Sequence, residues 1–248
     1  MKASFAAAAL LGASLMGSAI CQTGAPPSRP PISAALTGGL DGAVVFRIAS
    51  RSIAVIRTDS GAQGSAVAMA SRPGQGTAFA TNCHVLVGAS SFTIATKRAR
   101  ARGFFLGGDL EQDTCMVYGD LEATVPDTFN ALDLLPGEKV FAIGAPHGLE
   151  LSISEGIVAA RRGDFLFNPP VLIQTTAAIS PGSSGGGLFD SKARLVGITS
   201  FRLKDAQNLN FAIAIHEFNK VNTRPKVNSL DELNRASRSV EGVAPPGK

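Results

Sequence analysis

Residues 178–190 read Ala178-Ile179-Ser180-Pro181-Gly182-Ser183-Ser184-Gly185-Gly186-Gly187-Leu188-Phe189-Asp190, or AISPGSSGGGLFD. Two adjacent serines stand among glycines, with a proline before them and apolar residues behind. A flexible linker has this composition, and so does a turn that presents a nucleophilic serine. The residues beyond the second serine bear on the choice. GGGLFDSKARLVGITSF reads as strand, turn over Asp190-Ser191-Lys192, and strand.

Gly182-Ser183-Ser184-Gly185-Gly186 also satisfies G-x-S-x-G, and the order Ser184, Asp205, His216 would suit a nucleophile elbow. That motif requires a helix directly after the serine, and none is predicted here. Outward from the serines the chain repeats one pattern. VVFRIA, SIAVIRT, GSAVAMA, GTAFATN, SFTIAT, KVFAIGA, SEGIVAA, VLIQTTA, RLVGITSF and NLNFAIAI are short apolar runs separated by turn residues. They predict an all-β fold of sandwich or paired-barrel type. Long helical segments alternating with strands are missing, which disfavours a parallel α/β sheet. The tail carries the helical signal, with the capping-box spacing Ser229-x-x-Glu232. No internal repeat stands out.

The 248 residues are 45% apolar and 17% charged, a globular composition. There is no Trp and one Tyr, against a surface built on base stacking. Residues 1–21 begin with Lys2 and run through FAAAALLGASLMGSAI, the pattern of a secretion signal cut near Ala19–Cys21. The run is short for a spanning helix and no other long apolar segment follows, so no stable membrane insertion is expected after its removal. Losing Lys2 lowers the formal charge from +4 to +3. Residues 22–42 are rich in Pro, Gly and Ser and read as a flexible linker. The folded domain is placed at 43–222 and the tail at 223–248. The basic run Lys97-Arg98-Ala99-Arg100-Ala101-Arg102 reads as a solvated loop, and no nucleic-acid partner is expected. No His/Cys/Asp spacing fits a metal site, and no cofactor is implied.

A serine hydroxyl becomes a competent nucleophile when an imidazole takes its proton, and a carboxylate then fixes the imidazole tautomer. In the chain order His, Asp, Ser there are three histidines to choose from. His84 lies in FATNCHVLVG, at the end of a strand-like run. Asp113 lies in DLEQDTCMVYG, with Asp109 and Asp120 as competitors. His147 and His216 read as loop and helix-start residues. Glycines around Ser184 would let backbone N–H groups reach an oxyanion, each such donor being worth roughly 3 kcal/mol of barrier.

These segments resemble the HtrA/Deg-type serine proteases of the chymotrypsin-like superfamily. QGSAVAMA, TNCHV, EQDTCMV, LLPGEKVFAIGAPHGLELSISEGIVAA, QTTAAISPGSSGGGLFD, LVGITSF and NLNFAIAI match that family's blocks in order over residues 43–218. The resemblance implies two six-stranded antiparallel β-barrels; the tail adds a short C-terminal helix, and with no room after residue 222 for a second domain of peptide-binding size, no PDZ domain is expected. It makes His84 the general base, Asp113 its orienter and Ser184 the nucleophile, with Gly182 and Ser184 N–H as the oxyanion hole. It places Ala178, Ser200, Phe201 and Ala212 around the primary substrate pocket.

Some positions depart from the family pattern. Thr176 stands in place of an acid, Ser180 and Ser183 in place of asparagines, and Gly187 in place of a proline. With no carboxylate in the pocket, cleavage after small or medium apolar residues is expected, not after Arg or Lys. A hydrogen bond between His84 and Asp113 would bring Cys83 and Cys115 within disulfide range, and export permits oxidation. The reading is a periplasmic or secreted serine endopeptidase acting on polypeptides. Its alternatives are a non-catalytic or ligand-activated peptide-binding relative and an esterase on the same barrels.

Overall fold

The computed structural model describes residues 39–146, 150–163, 170–202, 209–223 and 225–241. The signal reading of 1–21, most of the linker, His147 and the side chain of Phe201 lie outside them.

Among the described residues, twelve strands form two closed antiparallel barrels of six. The first holds β1 (Ile53–Thr58), β2 (Gln63–Ser71), β3 (Thr77–Thr81), β4 (Phe92–Ala95), β5 (Arg100–Asp109) and β6 (Thr114–Gly119), closed in the order β1-β2-β3-β6-β5-β4. The second holds β7 (Lys139–Gly144), β8 (Ser152–Arg162), β9 (Leu172–Thr175), β10 (Gly187–Asp190), β11 (Leu195–Arg202) and β12 (Asn210–Ala214). Its order around the barrel, β10-β11-β12-β9-β8-β7, repeats that of the first. Each barrel is thus two meanders of three strands, joined edge to edge so that no edge is left unpaired.

One expected strand is a helix. VVFRIA falls in α1 (Gly42–Ala49), started by Asp41, whose carboxylate accepts the Val44 N–H at 2.8 Å. Val45 and Ala49, four apart, are the buried pair, which is helical spacing and not alternation. The end of the expected linker therefore belongs to the folded body: Leu40 N–H donates to Ser191 O at 2.7 Å. Helix α2 (Ile215–Thr223) follows β12, and α3 (Leu230–Glu241) closes the chain. The capping box at α3 forms in part. Ser229 Oγ accepts the Glu232 N–H at 3.1 Å, while Glu232 reaches back to Asn228 N–H at 2.7 Å.

The basic run is not wholly a loop. Arg100–Arg102 open β5, whose glycines make room for neighbours. A Cβ on Gly103 would lie 2.0 Å from the Phe92 ring, and one on Gly108 would lie 2.3 Å from Cys115 Sγ. The tail segment is part of the first barrel's wall. Gly108 and Val227 form a bridge, and Val227 and Leu233 are buried in the same cluster as Phe79, Ile56 and Ile94.

Candidate active site

His84 sits in a single 3₁₀ turn after β3, and Asp113 in the turn before β6. Because β3 and β6 are paired, with Thr81 opposite Cys115, the two loops emerge side by side at one mouth of the first barrel. Cys83 and Cys115 join there in a disulfide with Cα atoms 5.0 Å apart. Asp113 adopts φ +55, a left-handed conformation that Asp tolerates better than most residues. Asn82 Nδ2–H holds that turn by donating to Asp113 O at 3.1 Å.

The Asp113 carboxylate accepts three hydrogen bonds. The His84 backbone N–H reaches Oδ1 at 3.0 Å, and His84 Nδ1 lies 2.8 Å from Oδ2. Ser200 Oγ donates to Oδ2 at 2.8 Å. Partial burial works against the charged imidazole, but the hydrogen bond and negative charge of Asp113 outweigh it. The His84 pKa therefore lies above the ordinary value. The His84 side chain remains 48% exposed, open to the cleft.

Ser184 precedes β10 in a loop pinned from several directions. Ser65 of β2 donates its N–H to Ser184 O at 2.7 Å and its hydroxyl to Gly182 O at 3.0 Å. The same Ser65 hydroxyl accepts the Ala145 N–H at 3.0 Å, so one residue ties the first barrel to two segments of the second. From below, Gly185 N–H donates to Thr199 O at 2.7 Å and Thr199 Oγ1 donates to Ser183 O at 2.6 Å. Ser183 N–H turns back to Ser180 O at 2.9 Å. The N–H groups of Gly182 and Ser184 on either side of it have no acceptor among the described residues. Gly182 has φ +89, a left-handed value that suits glycine.

His84, Ser184, Gly182, Ile179, Pro181 and Ser200 line one cavity of about 370 Å³. Ser183 does not line it and packs toward Gly144. The Ser184 hydroxyl donates to Ser200 O at 2.7 Å, not to the imidazole. Ser200, one of the expected pocket residues, lines this cavity. Ala212 is fully buried in the second barrel's core, and Ala178 is exposed with its carbonyl taken by Ser154 Oγ. Every residue of β12 is buried, so no alternation marks one of its faces. Thr176, in place of an acid, accepts the Ile157 N–H on its hydroxyl at 3.0 Å.

Sequence reasoning missed the bond from Ser200 to Asp113 and the ties made by Ser65. The pairs lie 87 and 117 residues apart, so no local pattern announces them. Among the described residues no group of three or more His, Cys, Asp and Glu could hold a metal ion. No described helix is long and apolar enough to cross a membrane.

Comparison with known proteins places these features in context. The family model of the trypsin-like peptidase domain matches residues 64–198. A DegP-like periplasmic serine endoprotease of Pseudomonas savastanoi pv. phaseolicola is 34% identical over 170 residues, covering 66% of this chain and 34% of that protein. The serine protease Do-like HtrA of Bacillus subtilis is 34% identical over 149 residues, covering 54% of this chain and 32% of that protein. The chain thus spans about a third of the length of these relatives. The solved structure of the HtrA-type protease AlgW with a tripeptide superposes with a TM-score of 0.66 at 29% identity, covering 73% of this chain and 62% of that one.

Proposed function

The chain belongs to the family of trypsin-like peptidase domains, and on that premise we propose that it is an exported serine endopeptidase using His84, Asp113 and Ser184. The observation that carries this reading is the 2.8 Å bond between Asp113 and His84 Nδ1 beside a cavity that His84 and Ser184 share. Asp113 fixes the tautomer in which Nε2 is the free base. His84 then takes the Ser184 proton as Oγ attacks the peptide carbonyl, and returns it to the leaving amine. Gly182 and Ser184 N–H groups stabilise the oxyanion. Water, activated by the same imidazole, releases the acyl group.

Export is supported by the N-terminal pattern and by the disulfide, since such bonds persist in oxidising compartments. The described residues that line the cavity include no carboxylate, which supports cleavage after small or medium apolar side chains. One contact favours a second form of this reading, a ligand-activated enzyme. The Ser184 hydroxyl is held by Ser200 O, so substrate must displace that bond before His84 can act.

Labelling with a fluorophosphonate probe tests the proposal. Wild type and Ser183→Ala are expected to label and Ser184→Ala not. Labelling only after an apolar peptide is added selects the ligand-activated form. No labelling under either condition, in folded protein, overturns catalysis through Ser184. A peptide-library profile dominated by Arg or Lys overturns the specificity.

A further inference from the structure

A cavity larger than the one at the candidate active site lies elsewhere among the described residues. It measures about 870 Å³ and lies among α1, the end of β2, the β4–β5 turn and the segment after β6. These are the strand ends opposite to those bearing His84 and Asp113. β3 and β6 run between the two mouths, separating them by roughly 15 Å. A second cavity of about 670 Å³ runs along β1 and β4 and shares Phe46, Ile53, Thr96 and Lys97 with the first, making one groove.

Cations dominate this groove. Arg47 and Arg51 come from α1 and the turn after it, Arg57 from β1, Lys97 and Arg98 from the β4–β5 turn, and Arg100 from β5. Glu122 and Glu150 are the acids in its walls. None of the six cations makes an ion pair among the described residues, although carboxylates elsewhere on the molecule are paired. Like charges gathered without counter-ions repel one another, a cost relieved by an anionic ligand. The lining is also partly apolar. Phe46 lies under Lys97, whose Nζ is 5.3 Å from the ring centroid, and Ile53 and Val125 flank it.

We infer that this groove is an exosite for an extended, acidic segment of a partner polypeptide, in which carboxylates alternate with apolar side chains. Arginine forks match carboxylates bidentately, and the Phe46–Ile53–Val125 lining receives the side chains between them. Each of its two parts falls within the size of ordinary ligand clefts. A single aromatic gives no platform for successive bases, which sets single-stranded nucleic acid aside. The concave shape does not meet a planar bilayer. The inference does not depend on catalysis, and its test uses the Ser184→Ala protein.

Full-length Ser184→Ala protein is titrated into a fluorescein-labelled decapeptide alternating Glu with Leu or Val, and into its Gln counterpart, with anisotropy as readout. The Glu peptide is expected to bind saturably and at least tenfold more tightly than the Gln peptide. Arg47→Glu/Arg51→Glu and, independently, Lys97→Glu/Arg98→Glu are each expected to weaken it at least tenfold. Lys192→Glu, on the second barrel, is expected to change it less than twofold. Circular dichroism confirms that each variant is folded, and two pairs on separate elements keep the test alive if one fails to fold. The inference is overturned by absent saturation, by equal binding of the Gln peptide, or by equal losses in Lys192→Glu. Tighter binding of duplex DNA or of phosphatidylserine vesicles at the same sites also overturns it, assigning the groove to that class instead.

Discussion

The role proposed for His84 rests on what surrounds its two ring nitrogens. Nδ1 is committed to Asp113 at 2.8 Å, which leaves Nε2 as the base facing the cleft. Catalysis requires the neutral imidazole, so the rate rises as pH passes through the His84 pKa. Asp113 holds that pKa above the ordinary histidine value against partial burial. The expected pH profile of kcat/KM therefore has its acid limb centred above pH ~6.5. Asp113→Asn removes both the charge and the correct tautomer, so the limb moves to lower pH and the rate falls by about 10⁴. A wild-type limb at or below the ordinary value, unmoved by Asp113→Asn, would show that the pair does not govern the reaction. His84, Asp113 and Ser184 are legible in the sequence as the proposed triad because each sits in a short block with its own neighbours. The role of Ser200 is not, since the bond that defines it reaches across 87 residues from β11 to the Asp113 turn.

Among the secondary-structure elements, legibility depended on whether a strand advertises itself by apolar residues. β1, β7 and β12 do, β7 and β12 being mostly buried and β1 half buried. β5 does not. It carries Arg100 and Arg102 outward, exposes Phe104 and Leu106, and uses glycines where Phe92 and the disulfide need space. VVFRIA misleads in the other direction, because its β-branched composition suits a strand while Asp41 caps it as a helix. The glycines of the serine loop were visible, but their purposes differ from one to the next. Gly185 has φ +84 and its missing Cβ would fall 1.9 Å from Ser65 O, whereas Gly61 has φ +86 with nothing within 4 Å. Gly61→Ala should therefore cost only the dihedral penalty of about 1–2 kcal/mol. Gly185→Ala adds a backbone collision that also breaks the tie between Ser65 and Ser184, and should cost at least about 3 kcal/mol and abolish probe labelling. Urea denaturation of the two variants checks this; equal losses would show that the collision relaxes away.

For the molecule as a whole, the repeated strand order gives two barrels that meet at the cleft, with His84 and Asp113 on one and Ser184 on the other. Such duplication left no trace as a sequence repeat because it resides in strand pairing and not in residue identity. The second half of the chain also contributes to the first a strap over residues 225–241. Its backbone pairs with Gly108 through Lys226 and Val227, and Lys226 Nζ pairs with Asp109 at 3.3 Å and Glu111 at 2.6 Å. Asp109 opens the turn that ends in Asp113, so the strap clasps the segment that positions the carboxylate. Leu233 is fully buried against the first barrel, and Leu233→Ala should cost about 2–4 kcal/mol through the lost contacts and the cavity left behind. Removing the chain after residue 224 should do more than destabilise. It exposes one wall of the first barrel and frees the 109–113 turn, so hydrogen exchange at Gly108 and Asp113 should quicken while the amides of β10 and β11 keep their protection. The rate of probe labelling should fall in parallel, because a loose Asp113 no longer fixes His84. A truncated protein that labels at the wild-type rate with unchanged exchange at Gly108 would make the strap a passenger. Faster exchange throughout both barrels would instead mean that the two fold as one cooperative unit, with the strap completing its shared stability.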